Sequence, residues 1–468
     1  MFCRCDPMSG GCHLSVMCPL PPVIPDRLRA DPFLIARSWL VSLFSWLMAG
    51  ASHPPTGFLP PPERTGLSWS ALESNGPVPP DNVRSREAPT FVTLLPMRPS
   101  WIEIDLDAIE SNVRVIRDAI SPTAVCAVVK ADGYGHGDVP AAQAAIAGGA
   151  THLAVALVSE GVRLREAGIE VPILVLSEPL LGELDVVVGW SLTPIVYRRH
   201  FAEGVAETAD RLGLSPYPVH LKIDTGMHRV GASPVAAIDL ARYIDTEDRL
   251  ILEGIATHLS VAEEDAEFTG RQIGALGQFR DLLLSEGIDV KYVHAANTAG
   301  ALDHAEARFD LARIGLGIYG LRPAPETGIG LELKPAMRVV SAVSFVQRLP
   351  AGARPSYGRA RALERPSTVA TVPLGYADGI PRRLSSLGGE VLIHGKRYPF
   401  AGTVTMDQVM IDLGDDPVEV GDEVVFIGTQ GGDEVTATEW ADLLSTINYE
   451  IVCQFGPRLP RRYVHGGS

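Results

Sequence analysis

The feature that most constrains the fold is a repeated alternation of strand-like and helix-like segments from residue 100 to about residue 332. The strand-like segments are apolar almost throughout, as in a parallel sheet that helices cover on both faces. Eight such segments over about 235 residues predict a (β/α)8 barrel rather than a doubly wound sheet. The segments are WIEIDL, TAVCAVVK, HLAVAL, VPILVLS, PVHLKID, LEGIATH, VKYVHAAN and FDLARIG.

The pattern changes after Glu332, where β-rich segments alternate with glycine and proline turns. Such spacing predicts a second, all-β domain. We therefore expect an α/β protein in which a barrel over 97–334 is followed by a smaller β domain over 335–468, with a tail at 1–96.

The tail differs in composition from the rest of the chain, since it holds 16 of the 37 prolines and no lysine. Proline-rich segments of this kind predict disorder. Within the tail, Arg37 to Ser52 resembles the apolar core and cleavage pattern of a signal peptide, although a long segment precedes it. A start at Met97, with the tail a mis-called reading frame, is the alternative.

Charge and cysteine usage exclude several classes of function. The formal net charge of −16 repels nucleic acid and anionic membranes, so we expect neither as a partner. Four cysteines lie in the first twenty residues at no metal-binding spacing, and only Cys126 and Cys453 lie in the body. This usage predicts a reducing, cytoplasmic location. No zinc or Walker pattern occurs, so no metal site is expected.

Polar side chains end several of the apolar strands. One strand ends in Lys130, and others end in Asp224, His258, Thr298 and Arg313. A single polar strand end usually meets water, but the C-terminal ends of barrel strands converge on one mouth, where such enzymes place their chemistry. Five such ends therefore predict a shared site.

A glycine-rich turn, RIGLGIYG, follows the last predicted barrel strand from Arg313 to Gly320. Barrels commonly bind phosphate at this position, through backbone N–H groups. Lys130, unlike an arginine, can become a neutral amine nucleophile. A lysine beside a phosphate cradle predicts a Schiff base to pyridoxal 5′-phosphate.

Eight motifs, in order from about residue 98 to 463, resemble those of the alanine racemase family. The resemblance implies a pyridoxal-phosphate isomerase, built as a barrel plus a C-terminal β domain. It implies interconversion of L-alanine and D-alanine, which supplies D-alanine for peptidoglycan. The motifs are AVVKADGYGHG, HLKIDTGMHRVG, GIATHLS, HAANTAG, RIGLGIYGLRP, VPLGYADG, VTMDQVMIDL and INYEIVCQFGPRLPRRY.

The resemblance also implies roles for individual residues. Lys130 and Tyr357 match the two acid/base groups, with Tyr357 supplied by the partner subunit of a homodimer that shares its active sites. The implied cofactor-binding residues are Lys130, Tyr134, His258, Thr298, Arg313, Gly315, Leu316 and Tyr449. The implied substrate-binding residues are Arg229 and Met406, supported by Asp407 and by Lys222, which is often carbamylated in the family.

Racemisation by two bases requires proton-transfer groups on opposite faces of the substrate, which a lysine and a tyrosine can supply. The chain departs from the family pattern at His228, Thr403 and Thr405, so a broader-specificity or serine-type racemase is the alternative. Arg313 disfavours a decarboxylase of the same architecture, and Tyr357 disfavours a non-catalytic cofactor carrier.

Overall fold

The computed structural model describes residues 98–466. The signal-like segment Arg37–Ser52, the four N-terminal cysteines and Met97 lie outside the described residues. Within 98–466, no helix is both long enough and apolar enough to span a bilayer.

Eight parallel strands form a nearly closed barrel, which confirms the predicted fold class. Their spatial order is β8-β7-β6-β5-β4-β3-β2-β9. The ends of this order meet through backbone bonds from Arg313 N to Ala296 O, at 3.0 Å, and from Asp310 N to Val293 O, at 3.1 Å. The strands are β2 (Ala124–Val128), β3 (His152–Val155), β4 (Ile173–Val175), β5 (Thr193–Val196), β6 (Tyr217–Lys222), β7 (Leu250–Ala256), β8 (Tyr292–His294) and β9 (Leu311–Ile314).

Helices follow most barrel strands and cover the outside of the barrel. In the helix Leu106–Ile120, which precedes the first barrel strand, the Asp105 side chain caps the N-terminus by accepting from Ala108 N at 2.9 Å. Ile109, Val113 and Ile116 lie on its buried face at helical spacing. The helices are α1 (Leu106–Ile120), α2 (Asp138–Ala147), α3 (Val158–Glu166), α4 (Leu184–Gly189), α5 (Arg199–Leu212), α6 (Pro234–Thr246), α7 (Ala266–Ser285) and α8 (Thr298–Asp303).

The C-terminal part of the chain forms two further sheets, as its β-rich pattern predicts, together with two short helices that the pattern does not predict. One sheet has the order β14-β13-β16-β10-β1-β18, with β17 paired to β16, and the other has the order β11-β12-β15. The elements are β1 (Ser100–Asp105), β10 (Met337–Ala342), β11 (Phe345–Leu349), β12 (Ser367–Val372), β13 (Glu390–Ile393), β14 (Lys396–Pro399), β15 (Val409–Gly414), β16 (Glu423–Gln430), β17 (Asp433–Val435), α9 (Ala437–Leu444), α10 (Asn448–Cys453) and β18 (Arg461–Val464).

The position of β1 differs from the prediction. The segment WIEIDL does form a strand, but β1 pairs with β10 and β18 in the second domain and is not a barrel strand. The eighth barrel strand is instead β5, a short segment that the sequence analysis did not include. Because β1 lies in the C-terminal sheet, that sheet contains residues from both sides of the predicted division between 97–334 and 335–468. The division itself stays a prediction.

Candidate active site

A cavity of about 460 Å³ opens at the C-terminal ends of the barrel strands. Polar and apolar side chains from at least six barrel strands or the loops after them line it. Ten of the predicted site residues therefore meet in one place. They are Lys130, Tyr134, Lys222, Arg229, His258, Thr298, Arg313, Gly315, Leu316 and Tyr449.

An unusual left-handed turn follows Lys130. Four consecutive residues, Ala131 through Tyr134, have φ values between 53° and 60°. For L-residues this conformation costs about 1–2 kcal/mol each, so tertiary contacts must stabilise it. The turn ends at Gly135, which is also left-handed, and it directs the Tyr134 ring back toward the barrel mouth, where Tyr134 lines the cavity.

Glu160 holds this turn in place. Its Oε1 accepts from Ala131 N at 2.7 Å, and its Oε2 accepts from Ala156 N at 2.9 Å and from Leu157 N at 3.0 Å. One buried carboxylate therefore joins the residue after Lys130 to the end of β3 and the start of α3. Nothing in the sequence marks Glu160 as part of the site, because a glutamate in the first turn of a helix is an ordinary residue there.

The glycine-rich turn after β9 forms a close-fitting cradle. A Cβ atom on Gly315 would lie 2.5 Å from the Tyr134 hydroxyl oxygen, so only glycine leaves this space open. Thr298 Oγ1 accepts from Gly317 N at 3.3 Å, and the Tyr134 and Tyr449 ring centroids are 6.2 Å apart. Burial raises the pKa of Tyr449 to about 12, and it also raises that of Tyr134. Both phenols are therefore neutral hydrogen-bond donors.

The amines of the two lysines in the cavity have lowered pKa values. Burial and the adjacent Arg229 charge lower the pKa of the Lys130 amine from its usual value. Burial, followed by the charges of Arg313 and Arg229, lowers the pKa of Lys222 to about 8. Each amine is therefore easier to deprotonate than a surface lysine, which suits a nucleophile or a proton carrier.

Arg313 lies at the end of β9 and is almost completely buried. Its Nη2 donates to Thr257 O at 2.7 Å, to Ala295 O at 2.9 Å and to His258 Nδ1 at 3.2 Å. Its Nη1 donates to His294 Nδ1 at 2.7 Å. Burial lowers the pKa of Arg313 to about 10, so the side chain remains charged at neutral pH. Nε has no protein acceptor among the described residues and is free to donate to a bound molecule.

Burial, followed by the charge of Arg313, lowers the pKa of His258 well below its usual value, so this imidazole is neutral. Asn297, which precedes Thr298 in the loop after β8, caps α8 by accepting from Gly300 N at 2.8 Å. This interaction gives Asn297 a structural role.

Three predicted site residues do not line the cavity. Tyr357, Met406 and Asp407 lie in the C-terminal domain, where the Tyr357 side chain is 71% exposed and that of Met406 is 52% exposed. Arg458 Nη2 donates to Asp407 at 2.7 Å. A single chain therefore does not bring these residues to Lys130, and the prediction that a partner subunit supplies Tyr357 stays a prediction.

The loops that carry these exposed residues are nevertheless ordered against each other. Ser356 donates its hydroxyl to Thr403 O, and Tyr376 N donates to Thr405 O at 3.0 Å. A Cβ atom on Gly375 would lie 2.3 Å from the Met406 carbonyl oxygen, so the loops pack closely. They form one fixed surface that presents a tyrosine and a methionine.

The fold is a parallel barrel followed by a β domain, and its mouth holds a buried arginine, two lysines of lowered pKa and a close-fitting glycine turn. This combination is typical of a barrel enzyme with a reactive amine. The chain matches the family described as "Alanine racemase, N-terminal domain" over residues 104–323 and "Alanine racemase, C-terminal domain" over residues 336–463. The chain belongs to the alanine racemase family and is an isomerase.

Individual relatives agree with this assignment. The chain is 44% identical to the alanine racemase of Symbiobacterium thermophilum over 369 residues, which are 78% of this chain and 97% of that protein. A crystal structure of Bacillus anthracis alanine racemase with bound L-Ala-P is 37% identical, with a TM-score of 0.74 and coverage of 79% of this chain and 96% of that one. A histidine racemase from Leuconostoc mesenteroides is 27% identical, with a TM-score of 0.73 and coverage of 79% and 99%.

Proposed function

We propose that this protein uses pyridoxal 5′-phosphate to interconvert L-alanine and D-alanine in the cytoplasm, supplying D-alanine for peptidoglycan. The observation that carries the proposal is the convergence of Lys130, the Gly315 cradle and Arg313 on one cavity at the barrel mouth. The 44% identity to an alanine racemase, over almost the whole of that protein, supports the substrate.

The residues present fit this cofactor. Lys130 offers an amine of lowered pKa to the cofactor aldehyde. The Tyr134 and Tyr449 hydroxyls, Thr298 and the backbone at Gly315 and Leu316 form a neutral, donor-rich cradle for a phosphate. The free Nε–H of Arg313 suits the ring nitrogen, and His258 supports the ring region. When bound, the cofactor stabilises negative charge at the substrate α carbon.

Lys130 removes or returns the α proton on one face of the substrate. The opposite face needs a second proton carrier, and the two tyrosines that line the cavity, Tyr134 and Tyr449, are assigned to the phosphate. We assign this role to Tyr357 of the partner subunit, whose exposure on the C-terminal domain suits an interface contact. The same surface presents Met406 and Asp407, so a homodimer with shared sites completes the substrate pocket.

Arg229 lines the cavity beside Lys130 and is suited to hold the substrate and the second base. Lys222, with a pKa of about 8, has a larger neutral fraction near neutral pH than a surface lysine, and only a neutral amine reacts with carbon dioxide. A carbamate on Lys222 would turn a cation near Arg229 into an anion that orients it. Intact mass measurement of the native protein checks this assignment.

A racemase of broader or serine-type specificity is the second candidate. His228, Thr403 and Thr405 differ from the family pattern, and the fold also hosts a histidine racemase. The deciding experiment supplies the purified protein separately with L-alanine, L-serine and L-histidine and follows the enantiomer ratio. We expect L-alanine to be racemised fastest. A faster serine reaction would favour the second candidate, and no reaction with any of the three would overturn both.

Replacing Gly315 with alanine tests the cradle. The new Cβ atom would lie 2.5 Å from the Tyr134 hydroxyl oxygen, so the phenol must move out of the cradle. We expect cofactor affinity to fall about tenfold, equivalent to about 1.4 kcal/mol. Equilibrium titration of the cofactor-free protein measures the affinity. Gly274→Ala, where an added Cβ meets nothing within 4 Å, is the control, and equal affinities of the two variants would contradict the cradle.

A further inference from the structure

A chain of polar side chains passes through the barrel interior behind Arg313. His294 and His220 are fully or almost fully buried, with exposed fractions of 0% and 1%. The interiors of such barrels are normally filled by branched aliphatic side chains. The imidazole of His294 contacts the buried guanidinium, and that of His220 contacts His294 in turn. Both therefore require an explanation, and the steps of racemisation proposed above use neither of them.

The hydrogen bonds that link Arg313, His294 and His220 have only one possible direction. A guanidinium can only donate, so His294 Nδ1 accepts from Arg313 Nη1 at 2.7 Å. Burial and the Arg313 charge hold the pKa of His294 well below its usual value, so the ring is neutral and its proton is on Nε2. His294 Nε2 then donates to His220 Nδ1 at 2.8 Å. The proton of neutral His220 is therefore on its Nε2.

A carboxylate, Glu253, lies at the end of this series of side chains that is farthest from Arg313. His220 Nε2 has no acceptor at ordinary hydrogen-bond distance among the described residues, and Glu253 Oε2 lies 3.5 Å away. The Glu253 side chain is 23% exposed and also lies 3.5 Å from Lys291 Nζ. The protons on the two imidazoles both point away from Arg313 and toward Glu253.

The backbone makes room for this arrangement. A Cβ atom on Gly254 would lie 2.6 Å from His220 Nδ1 and 2.9 Å from Tyr292 O. His220 and Gly254 are register partners on β6 and β7, so any side chain at 254 would displace the ring from His294. The glycine is required by the position of the imidazole.

This series of side chains lies beside a buried positive charge, the guanidinium of Arg313, that has no carboxylate paired with it among the described residues. Buried charges are usually paired, yet within residues 98–466 no carboxylate forms an ion pair with Arg313. Its acceptors are backbone carbonyls and imidazole nitrogens. A carboxylate that polarises two aligned imidazoles makes the first of them a better acceptor for the guanidinium.

We propose that Glu253, His220 and His294 are positioning residues that transmit the negative charge of Glu253 to Arg313 and so fix the orientation and charge of its guanidinium. This relay, from Glu253 through His220 and His294 to Arg313, is independent of the proposed function. Its effect on catalysis rests on that function, since it requires Arg313 to face the cofactor ring.

The first test measures the imidazole tautomers in cofactor-free protein by ¹⁵N NMR with labelled histidine. His294 and His220 should both be neutral and protonated on Nε2, and each assignment is made by loss of signals in a His→Gln variant. His136 is the internal control for the opposite tautomer, because its Nδ1 lies 3.0 Å from the carbonyl oxygens of both Gly133 and Tyr134. A proton on Nδ1 of His294 or His220 would overturn the relay, whether or not the protein is a racemase.

The second test removes the charge and keeps the shape. In Glu253→Gln we expect kcat to fall about tenfold, the lower limit for outer partners of bound groups, while KM stays within about twofold. The absorption maximum of the bound cofactor should also shift. Glu286→Gln, which removes a carboxylate of similar exposure (26%) from the Arg242 pair, should change neither. Unchanged kcat and spectrum in Glu253→Gln would overturn the charge transmission.

Gly254→Ala supplies an independent variant, since it keeps every titratable group and displaces the His220 ring, with a smaller shift at the Tyr292 carbonyl. It should reproduce the spectral shift and the loss of kcat. If the wild-type protein racemised no amino acid while the tautomers were as expected, the proposed function would fail and the relay would stand.

Discussion

Lys130→Ala is expected to lower racemisation by about 10³-fold or more, because under the proposed function it removes both the amine that holds the cofactor and one of the two proton carriers. Lys222 lines the same cavity, but it extends from β6 rather than from the end of β2, so we do not expect its amine to replace that of Lys130. Borohydride reduction followed by peptide mass analysis should attach the cofactor to Lys130 in the wild-type protein and to no lysine in the variant.

Lys396→Ala is the matched control, because Lys396 is a surface lysine whose Nζ lies 3.4 Å from Asp416 in the C-terminal domain. Its activity and its reduced peptide should equal those of the wild type. Fixation of the cofactor at Lys222 in the wild-type protein, or full activity of Lys130→Ala, would contradict the assignment of Lys130.

Tyr357→Phe is expected to lower racemisation by about 10²-fold to 10³-fold while leaving the cofactor bound, since only the hydroxyl proposed to move a proton is lost. Unlike the loss of Lys130, this change should leave the absorbance of the bound cofactor almost unchanged. Tyr243→Phe, at a tyrosine on the outer helix α6, is the control and should retain full activity. The racemisation rates of the wild type and the two variants are measured from the enantiomer ratio over time.

Mixing the two inactive variants tests whether the site is shared. A hybrid dimer of Lys130→Ala and Tyr357→Phe contains one site with both changes and one intact site. After unfolding and refolding in equal amounts, the mixture should recover about a quarter of wild-type activity, because half of the dimers are hybrids and each has one working site of two. No recovery from correctly refolded hybrids would place both groups on one chain.

The barrel could be predicted because its strands are buried on both faces and therefore apolar without interruption. The same criterion should have excluded WIEIDL, in which buried Ile102 and Ile104 alternate with half-buried Glu103 and Asp105. That alternation is typical of a strand with one polar face. The true strand β5 was missed because it has only four residues and contains Pro194.

The convergence of residues on the cavity was predictable where a polar side chain ends an apolar strand, as at Lys130 and Arg313. Glu160 was not predictable, because its role depends on three backbone N–H groups that only the folded chain brings together. The same holds for His220, whose contact with His294 joins residues 74 positions apart. Chain-distant contacts leave no local pattern.

The position of β1 limits how the protein can be divided. β1 lies between β10 and β18 and is hydrogen-bonded to both, so its removal would leave a gap inside the C-terminal sheet. A fragment ending at residue 334 would carry β1 with both edges bare, and such edges template aggregation. The complementary fragment would lack an inner strand. Although two family segments divide the sequence, the gene therefore cannot be cut between them into two soluble halves, and limited proteolysis there should yield fragments that stay associated.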